Sequence, residues 1–174
     1  MSGSYVHGYQ PRENERLQDQ AGTLVDLLHS DTTYPAGSTV LEVGCGVGAQ
    51  TLTLAQQSPQ ARITSVDVSA DSIAEAKRRA ATAGFTNVDF QQGISSTCPS
   101  TPSRSTTLFV CFVLEHLAQP VQALTVLSRL IRPGGTITVI EGDPGSAYFY
   151  PDSPEAQAAI QCQITLQGQP AGTH

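Results

Sequence analysis

Apolar residues follow two patterns along the chain, short continuous runs and faces with helical spacing. The short runs are rich in β-branched residues and are bounded by glycine, proline or polar turns, which is typical of strands. They lie at residues 39–43, 62–68, 108–113 and 136–140, and residues 87–92 alternate between apolar and polar positions, which predicts a further strand. Apolar residues spaced three or four positions apart indicate amphipathic helices around these strands. Helices are predicted at residues 17–28, 49–57, 69–83, 120–131 and 153–166.

The order of these elements predicts the fold class. Strands that alternate with helices are joined by right-handed crossovers, so the strands run parallel and helices cover both faces of the sheet. We therefore expect an α/β protein with a Rossmann-like, doubly wound, mainly parallel sheet. At 174 residues the chain has room for one such domain. We divide it into an N-terminal helical segment (1–38), the α/β core (39–143) and a C-terminal helix and tail (144–174).

Charge and composition disfavour several classes of protein. Nine Lys and Arg against fifteen Asp and Glu give a net charge of -6, which opposes binding to nucleic acid through a basic face. The sequence has neither a long apolar run nor a secretory signal, so we expect a cytoplasmic protein without a membrane partner. Four widely spaced cysteines predict free thiols, with neither a disulfide framework nor a metal site. They are Cys45, Cys98, Cys111 and Cys162.

A glycine-rich loop follows the first predicted strand and leads into a helix. Gly44, Gly46 and Gly48 let the backbone turn sharply and approach a ligand closely, because no Cβ intervenes. In a doubly wound sheet this loop lies at the carboxyl ends of the strands, where ligands bind. Its spacing differs from the G-x-G-x-x-G of dinucleotide-binding loops, and no P-loop lysine follows. The sequence therefore disfavours NAD and ATP as ligands.

The second predicted strand ends in an acidic residue, Asp67. A carboxylate at this position can accept hydrogen bonds from both hydroxyls of a ribose. Because this segment and the glycine loop both end at the switch point of the sheet, we expect the two to lie side by side. Together they indicate a ligand that contains adenosine.

Three segments together resemble the class I S-adenosylmethionine-dependent methyltransferases. The glycine loop and the acidic residue before it, Glu42, match the E/D-x-G-x-G-x-G motif of that family. LFVCFVLEHL at 108–117 is similar to the family's fourth strand and the loop after it, and LIRPGGTITVIEGD at 130–143 is similar to its fifth strand. The resemblance covers residues 39–143.

The resemblance implies S-adenosylmethionine as cofactor and transfer of its methyl group to a small-molecule acceptor. It also implies which residues contact each part of the cofactor. These are Glu42, Gly44, Cys45, Gly46 and Gly48 at the methionine end, Asp67 at the ribose, Val68, Gly93 and Ile94 at the adenine, and Phe112 and Val113 beside the methyl-transfer site. His116 is the candidate for a proton-accepting catalytic role, with packing or capping as the alternative.

Residues 94–107 depart from the family pattern. The family places an acidic residue after Gly93 to bind the adenine amino group, whereas Ile94 stands here. The whole stretch, ISSTCPSTPSRSTT, is rich in Ser, Thr and Pro and lacks periodicity. With suitable synonymous codons, a shifted reading frame gives DIFDLPFDSESFDH, which has the same length and resembles the family's segment. We therefore interpret residues 94–107 as the product of two compensating frame shifts.

The two ends of the chain carry further expectations. Sheets of this family continue beyond the fifth strand, so we expect a C-terminally truncated chain that exposes the strand at 136–140 and self-associates. Tyr5, His7 and Tyr9 are candidates for a lid over the site, with a loosely packed terminus as the alternative. Two other functions stay open: a catalytically inactive methyltransferase remnant that binds at most the cofactor or a partner, and a nicotinamide oxidoreductase.

Overall fold

A five-stranded sheet forms the centre of the molecule, and every pair of neighbouring strands runs parallel. This computed structural model describes residues 24–93, 105–146, 150–151 and 153–167. The sheet order β3-β2-β1-β4-β5 confirms the predicted Rossmann-like, doubly wound architecture. The strands are β1 (Thr39–Val43), β2 (Arg62–Asp67), β3 (Val88–Gln92), β4 (Ser105–Cys111) and β5 (Ile131–Ile140).

Helices connect the strands and follow the last of them. They are α1 (Ala49–Gln57), α2 (Ala70–Thr82), α3 (Pro120–Leu127) and α4 (Pro154–Gln167). The side chain of Ser69 caps α2 by accepting a hydrogen bond from the Ser72 N–H, and Pro120 occupies the first turn of α3. Residues 24–28 form the end of the predicted N-terminal helix. Across the described ranges, none of the helices is both long and apolar enough to cross a membrane.

Apolar side chains cover both faces of the sheet. Successive residues of a strand point to opposite faces, so Val40 packs with α1 whereas Leu41 packs with α3. This two-sided burial explains why apolar residues stand at consecutive positions, 40–41 in β1 and 108–111 in β4. One cluster contains Val40, Leu54, Ala55, Ala61, Ile63, Phe109 and Cys111, and the other contains Leu41, Val66, Leu108, Val110, Leu127 and Ile131.

A buried histidine ties the segment before β1 to α1. His29 is 1% exposed and its ring stacks on that of Phe109, with the ring centroids 5.8 Å apart. Its Nδ1 lies 2.8 Å from Thr32 Oγ1, and its Nε2 lies 2.5 Å from Gln50 Oε1. Because both ring nitrogens have partners, the polar ring is satisfied inside the core.

β4 begins at Ser105, whereas the apolar pattern predicts a start at 108. The extension is held by threonine side chains instead of apolar packing. Thr106 Oγ1 accepts a hydrogen bond from the Thr39 N–H at 3.0 Å and donates to the Thr39 carbonyl at 2.9 Å. A hydrophobicity pattern does not detect polar contacts between distant strands, which is why the prediction starts late.

β5 begins at Ile131, whereas the sequence predicts a start at 136. The residues after Ile131 bulge from the sheet before regular pairing resumes at Thr136, and Gly134 in the bulge has a φ of +78°. The predicted helix at 120–131 is correspondingly too long, because α3 ends at Leu127 and a 3₁₀ turn joins it to β5. Apolar residues continue from the helix into the strand, so the pattern alone does not mark the boundary.

Some predictions concern residues outside the described part of the chain. Residues 1–23 lie there and include the lid candidates Tyr5, His7 and Tyr9. Residues 94–104 lie there too, so the frame-shift interpretation of 94–107 and the role of Ile94 stay predictions. The division of the chain at residues 38 and 143 is likewise still a prediction.

The outer strand β5 leads us to expect self-association of the 174-residue chain. Ile137 and Val139 are 45% and 42% exposed, although α4 forms close to where it is predicted. An edge strand presents unpaired N–H and C=O groups to a second chain. We therefore expect oligomers in analytical ultracentrifugation, and a shift toward monomer in Ile137→Lys, because a charge on an edge strand opposes pairing.

Val121→Lys is the matched control for this substitution. Val121 is 77% exposed, but it lies on α3 and not on the strand edge. The control should therefore leave the sedimentation behaviour unchanged. A monodisperse, cooperatively unfolding monomer for the unsubstituted chain would contradict the expectation of self-association.

Candidate functional site

The carboxyl ends of the strands meet at one edge of the sheet. β1 has β2 on one side and β4 on the other, so the strand order reverses at this point. In doubly wound sheets a crevice for a ligand opens where the order reverses. The predicted site residues that the structure describes come from β1, from the last residue of β2 and from the segments after β1, β2, β3 and β4, and therefore gather at this edge.

The glycine loop after β1 has a backbone that requires glycine. Gly44, Gly46 and Gly48 have φ values of +75°, +52° and +82°, in the left-handed region. The N–H groups of Gly44 and Cys45 both donate to the Val66 carbonyl, at 2.8 and 3.1 Å. These bonds hold the loop against the end of β2. A Cβ at Gly46 would meet no atom of the described residues within 4 Å, so these residues leave the backbone open to a ligand.

Asp67 links the end of β2 to the glycine loop. Its Oδ2 accepts a hydrogen bond from the Gly46 N–H at 2.8 Å, and its Oδ1 accepts one from the Ser69 N–H at 2.9 Å. Each carboxylate oxygen has more than one lone pair, so both oxygens can still accept a hydroxyl. The side chain is thus held in place beside the loop with accepting capacity to spare.

The end of β3 lies beside the end of β2. The Gly93 N–H donates to the Asp67 carbonyl at 3.0 Å, and Gln92 Nε2 donates to the Val68 carbonyl at 3.1 Å. Val68 is 55% exposed and offers an apolar surface at this edge. The structure therefore brings Val68 and Gly93 together with Asp67. Gln92 was not identified from the sequence, because it belongs to no motif.

Glu42 lies beneath the glycine loop and is only 2% exposed. Its Oε2 accepts hydrogen bonds from the hydroxyls of Thr51 and Ser65, both at 2.6 Å. The carboxylate therefore joins β1 to α1 and to β2 below the site. Its implied contact with the methionine end of a cofactor stays a prediction. The two hydroxyl partners were missed from the sequence because only the folded sheet brings them to Glu42.

Glu42 is expected to make the stability of the protein depend on pH. Burial raises the pKa of Glu42 to about 7, although the hydrogen bonds from Ser65 and Thr51 oppose the shift. The folded state therefore binds this proton more tightly than the unfolded chain, and the stabilisation is lost as pH rises from the unfolded pKa through 7. We expect this group alone to lower the free energy of unfolding by about 2 kcal/mol between about pH 5.5 and pH 7.5.

The test is urea denaturation at several pH values with Glu42→Gln. The amide oxygen still accepts from both hydroxyls but does not titrate, so this part of the pH dependence should disappear. Glu155→Gln on the exposed face of α4 is the control and should keep the slope of the unsubstituted protein. The same slope in Glu42→Gln as in the unsubstituted protein would refute the assignment.

α2 supports the glycine loop from the side. Arg79 Nη1 donates to the Val47 carbonyl at 3.1 Å, and Arg79 Nε pairs with Glu75 at 3.2 Å. The fully buried Ala76 packs so closely that a Cβ at Gly48 would lie 3.1 Å from the Ala76 Cβ. Arg79 was not predicted as part of the site, because an arginine paired with an acid on an amphipathic helix is typical of a solvated surface.

The segment after β4 closes the other side of the site. Phe112 and Val113 follow the strand directly, and a Cβ at Gly44 would overlap the Val113 side chain. The two predicted residues therefore lie next to the glycine loop. Burial raises the pKa of the Cys45 and Cys111 thiols, so both stay protonated at neutral pH and are poor nucleophiles.

His116 ends the 3₁₀ turn that follows this segment. Its side chain is 15% exposed, and its Nε2 lies 3.5 Å from Glu115 Oε1. A neighbouring carboxylate can orient an imidazole for proton transfer. The same pairing also suits a packing role, so a catalytic function of His116 stays a prediction.

Acidic side chains surround this edge of the sheet. Asp67 ends β2, Glu115 lies in the turn after β4, and Glu141 directly follows β5. Their charge favours a positively charged ligand and opposes the pyrophosphate of a dinucleotide. The electrostatics agree with the glycine spacing in disfavouring NAD.

The family model for the methyltransferase domain matches residues 35–167. The match spans β1 to the end of α4 and contains every described segment of the candidate site. The chain therefore belongs to the methyltransferase domain family and has the fold of the class I S-adenosylmethionine-dependent methyltransferases.

Two curated relatives match most of the chain, and the second of them is named as a methyltransferase. A 37.1 kDa protein of transposon TN4556 from Streptomyces fradiae is 34% identical over 159 residues, which cover 87% of this chain and 46% of that protein. A ubiquinone biosynthesis O-methyltransferase from Pseudomonas paraeruginosa is 30% identical over 142 residues, which cover 80% of this chain and 56% of that protein. The chain spans about half the length of these curated relatives.

A solved structure shows the fold over nearly the whole chain. A SAM-dependent methyltransferase from Aquifex aeolicus superimposes with a TM-score of 0.69. The superposition covers 95% of this chain and 92% of that chain, at 19% sequence identity. At this sequence identity the likeness concerns only the fold. It confirms the Rossmann-like α/β fold that the sequence predicts.

Proposed function

We propose that the chain binds S-adenosylmethionine across the carboxyl ends of β1, β2 and β4 and transfers its methyl group to a small-molecule acceptor. The pairing of Asp67 with the Gly46 N–H carries the proposal. This pairing sets a carboxylate able to bind a ribose directly beside a backbone that a ligand can approach. The match to the methyltransferase domain family supports S-adenosylmethionine as the ligand of this site.

The surrounding residues fit the parts of S-adenosylmethionine. The exposed Val68 side chain offers an apolar surface for the adenine, next to the Gly93 backbone. The acidic edge of the sheet suits a ligand that carries a sulfonium and an ammonium group. Phe112 and Val113 line the side of the loop on which we place the reacting methyl group.

The chain contributes mainly binding and orientation to this reaction. S-adenosylmethionine supplies an electrophilic methyl group, so an acceptor that is already nucleophilic needs chiefly to be aligned with it. Where the acceptor must lose a proton, His116 is the residue that we propose to receive it at a ring nitrogen. The Glu115 carboxylate, 3.5 Å from Nε2, would stabilise the resulting imidazolium.

Charge and relatives support a small acceptor. A net charge of -6 opposes binding to a nucleic acid backbone. The relative from Pseudomonas paraeruginosa is named for O-methylation in ubiquinone biosynthesis. We therefore propose a small molecule as acceptor.

Calorimetric titration with S-adenosylhomocysteine and, separately, with NADH tests the cofactor assignment. We expect S-adenosylhomocysteine to bind and NADH to bind weakly or not at all, because the acidic edge repels pyrophosphate. Tighter binding of NADH would overturn the proposal and favour a nicotinamide oxidoreductase on the same sheet.

Transfer of a labelled methyl group tests the activity separately from binding. The chain is incubated with S-adenosylmethionine labelled in its methyl group and with a panel of small phenols, amines and thiols. Label in an acceptor would support the proposed enzyme. Binding of S-adenosylhomocysteine without transfer to any acceptor would instead support an inactive remnant that binds the cofactor.

A further inference from the structure

The turn after β4 has an unusual backbone. Phe112 has a φ of +55°, in the left-handed region. This conformation is uncommon for any residue other than glycine and is an outlier for a bulky one. Such residues persist where the surroundings hold them, and they cluster at ligand-binding and active sites. The turn is therefore a place to look for a residue that holds the site in shape.

Hydrogen bonds from the end of β5 hold the turn. The Phe112 N–H donates to the Ile140 carbonyl at 2.9 Å. The next two N–H groups, of Val113 and Leu114, both donate to Oε1 of Glu141, at 3.0 and 2.8 Å. One carboxylate oxygen thus satisfies two backbone donors that would otherwise lack an acceptor within the turn.

Val113 connects this turn to the glycine loop. The Val113 Cγ2 occupies the space in which a Cβ of Gly44 would stand. The N–H group of the same residue is held by Glu141. Glu141 therefore reaches the loop after β1 through a single intervening residue.

The second oxygen of Glu141 has no structural explanation. Oε2 is buried and has no hydrogen-bond partner among the described residues. A buried carboxylate oxygen without a partner lowers the stability of the fold. The fold bears this cost in order to place Oε1 on the two N–H groups, which points to a role of the turn beyond fold stability.

We infer that Glu141 is a positioning residue for the cofactor site. Its carboxylate holds Val113 against Gly44 and fixes the strained backbone at Phe112, and so shapes the wall between β1 and β4. Glu141 acts through the turn and does not itself contact the ligand. The inference rests on the proposed function, because it concerns the affinity of that site for S-adenosylmethionine and its product.

Calorimetry with S-adenosylhomocysteine tests three substitutions of Glu141. Glu141→Ala removes the acceptor and Glu141→Asp withdraws it from the turn, so both should weaken binding by roughly tenfold. Glu141→Gln keeps a carbonyl oxygen for the two N–H groups and should stay within about threefold of the unsubstituted chain. Asp143→Ala is the control, because Asp143 is exposed and its side chain holds only Gly145 and Ser146 among the residues that the structure describes.

A double-mutant cycle with Val113→Ala tests whether Glu141 affects ligand binding through Val113. If Glu141 acts through Val113, Glu141→Ala should weaken binding less in the Val113→Ala background than in the original chain. The same loss in both backgrounds would overturn this route. Amide hydrogen exchange at Val113 and Leu114 should also be faster in Glu141→Ala.

The outcomes separate this inference from the proposed function. Unchanged affinity in Glu141→Ala and Glu141→Asp, in a chain that binds S-adenosylhomocysteine, overturns the positioning role. Absence of binding to the unsubstituted chain overturns the proposed function instead. If Glu141→Ala does not fold, Glu141→Asp decides, since it keeps the charge and most of the volume.

Discussion

Asp67→Ala is expected to weaken binding of S-adenosylhomocysteine by about 1.5–3 kcal/mol, because charge-assisted hydrogen bonds to the ribose are lost. The substitution also releases the Gly46 and Ser69 N–H groups, which the carboxylate holds at 2.8 and 2.9 Å. The loop should therefore become less ordered as well as lose a ligand contact. Calorimetric titration measures the change.

Two variants sharpen this test. Asp67→Asn keeps one accepting oxygen but loses the charge, so its affinity should fall between those of Asp67→Ala and the unsubstituted chain. Asp89→Ala is the matched control, since Asp89 lies on β3 with its side chain 68% exposed and pairs with Arg62 at 3.8 Å. Full affinity in Asp67→Ala would show that the carboxylate does not bind the ligand.

Gly44→Ala is expected to destabilise the fold by about 2–5 kcal/mol. About 1–2 kcal/mol comes from placing a Cβ in the left-handed region, at a φ of +75°. A further 1–3 kcal/mol, roughly, comes from overlap of the new methyl group with Val113. Urea denaturation measures the stability, and binding of S-adenosylhomocysteine should fall in parallel because the loop must shift.

Gly37→Ala separates the two contributions. Gly37 has nearly the same φ, +79°, but a Cβ there meets no atom of the described part of the chain within 4 Å. Gly37→Ala should therefore lose only the stability that a Cβ in the left-handed region costs. In a Val113→Ala background, which removes the overlap, the further loss of stability caused by Gly44→Ala should fall to that of Gly37→Ala. Equal losses in Gly44→Ala and Gly37→Ala would show that the contact with Val113 is unimportant.

The sequence was informative wherever the signal is local. Apolar runs predicted four of the strands, because both faces of the sheet are buried, and alternation of apolar and polar residues predicted β3. The glycine loop was recognisable because three closely spaced glycines follow a strand, and the structure gives all three a positive φ. Asp67 was found for a similar reason, since it ends an apolar strand.

The remainder of the site depends on contacts between distant segments. Glu42 meets Thr51 and Ser65 only after β1, α1 and β2 have packed together. Glu141 follows the last strand and holds N–H groups that lie 27 and 28 positions earlier. No periodicity or motif marks such pairs, because their spacing is set by the sheet order and not by the local chain.

The contact between Gly44 and Val113 ties two segments that lie far apart in the chain. The valine side chain fills the space that any residue other than glycine would need at position 44. We therefore expect the two positions to change together as sequences diverge. A relative with alanine at position 44 should carry glycine or alanine at position 113. A chain that has acquired only one of these two changes should be less stable than a chain with neither.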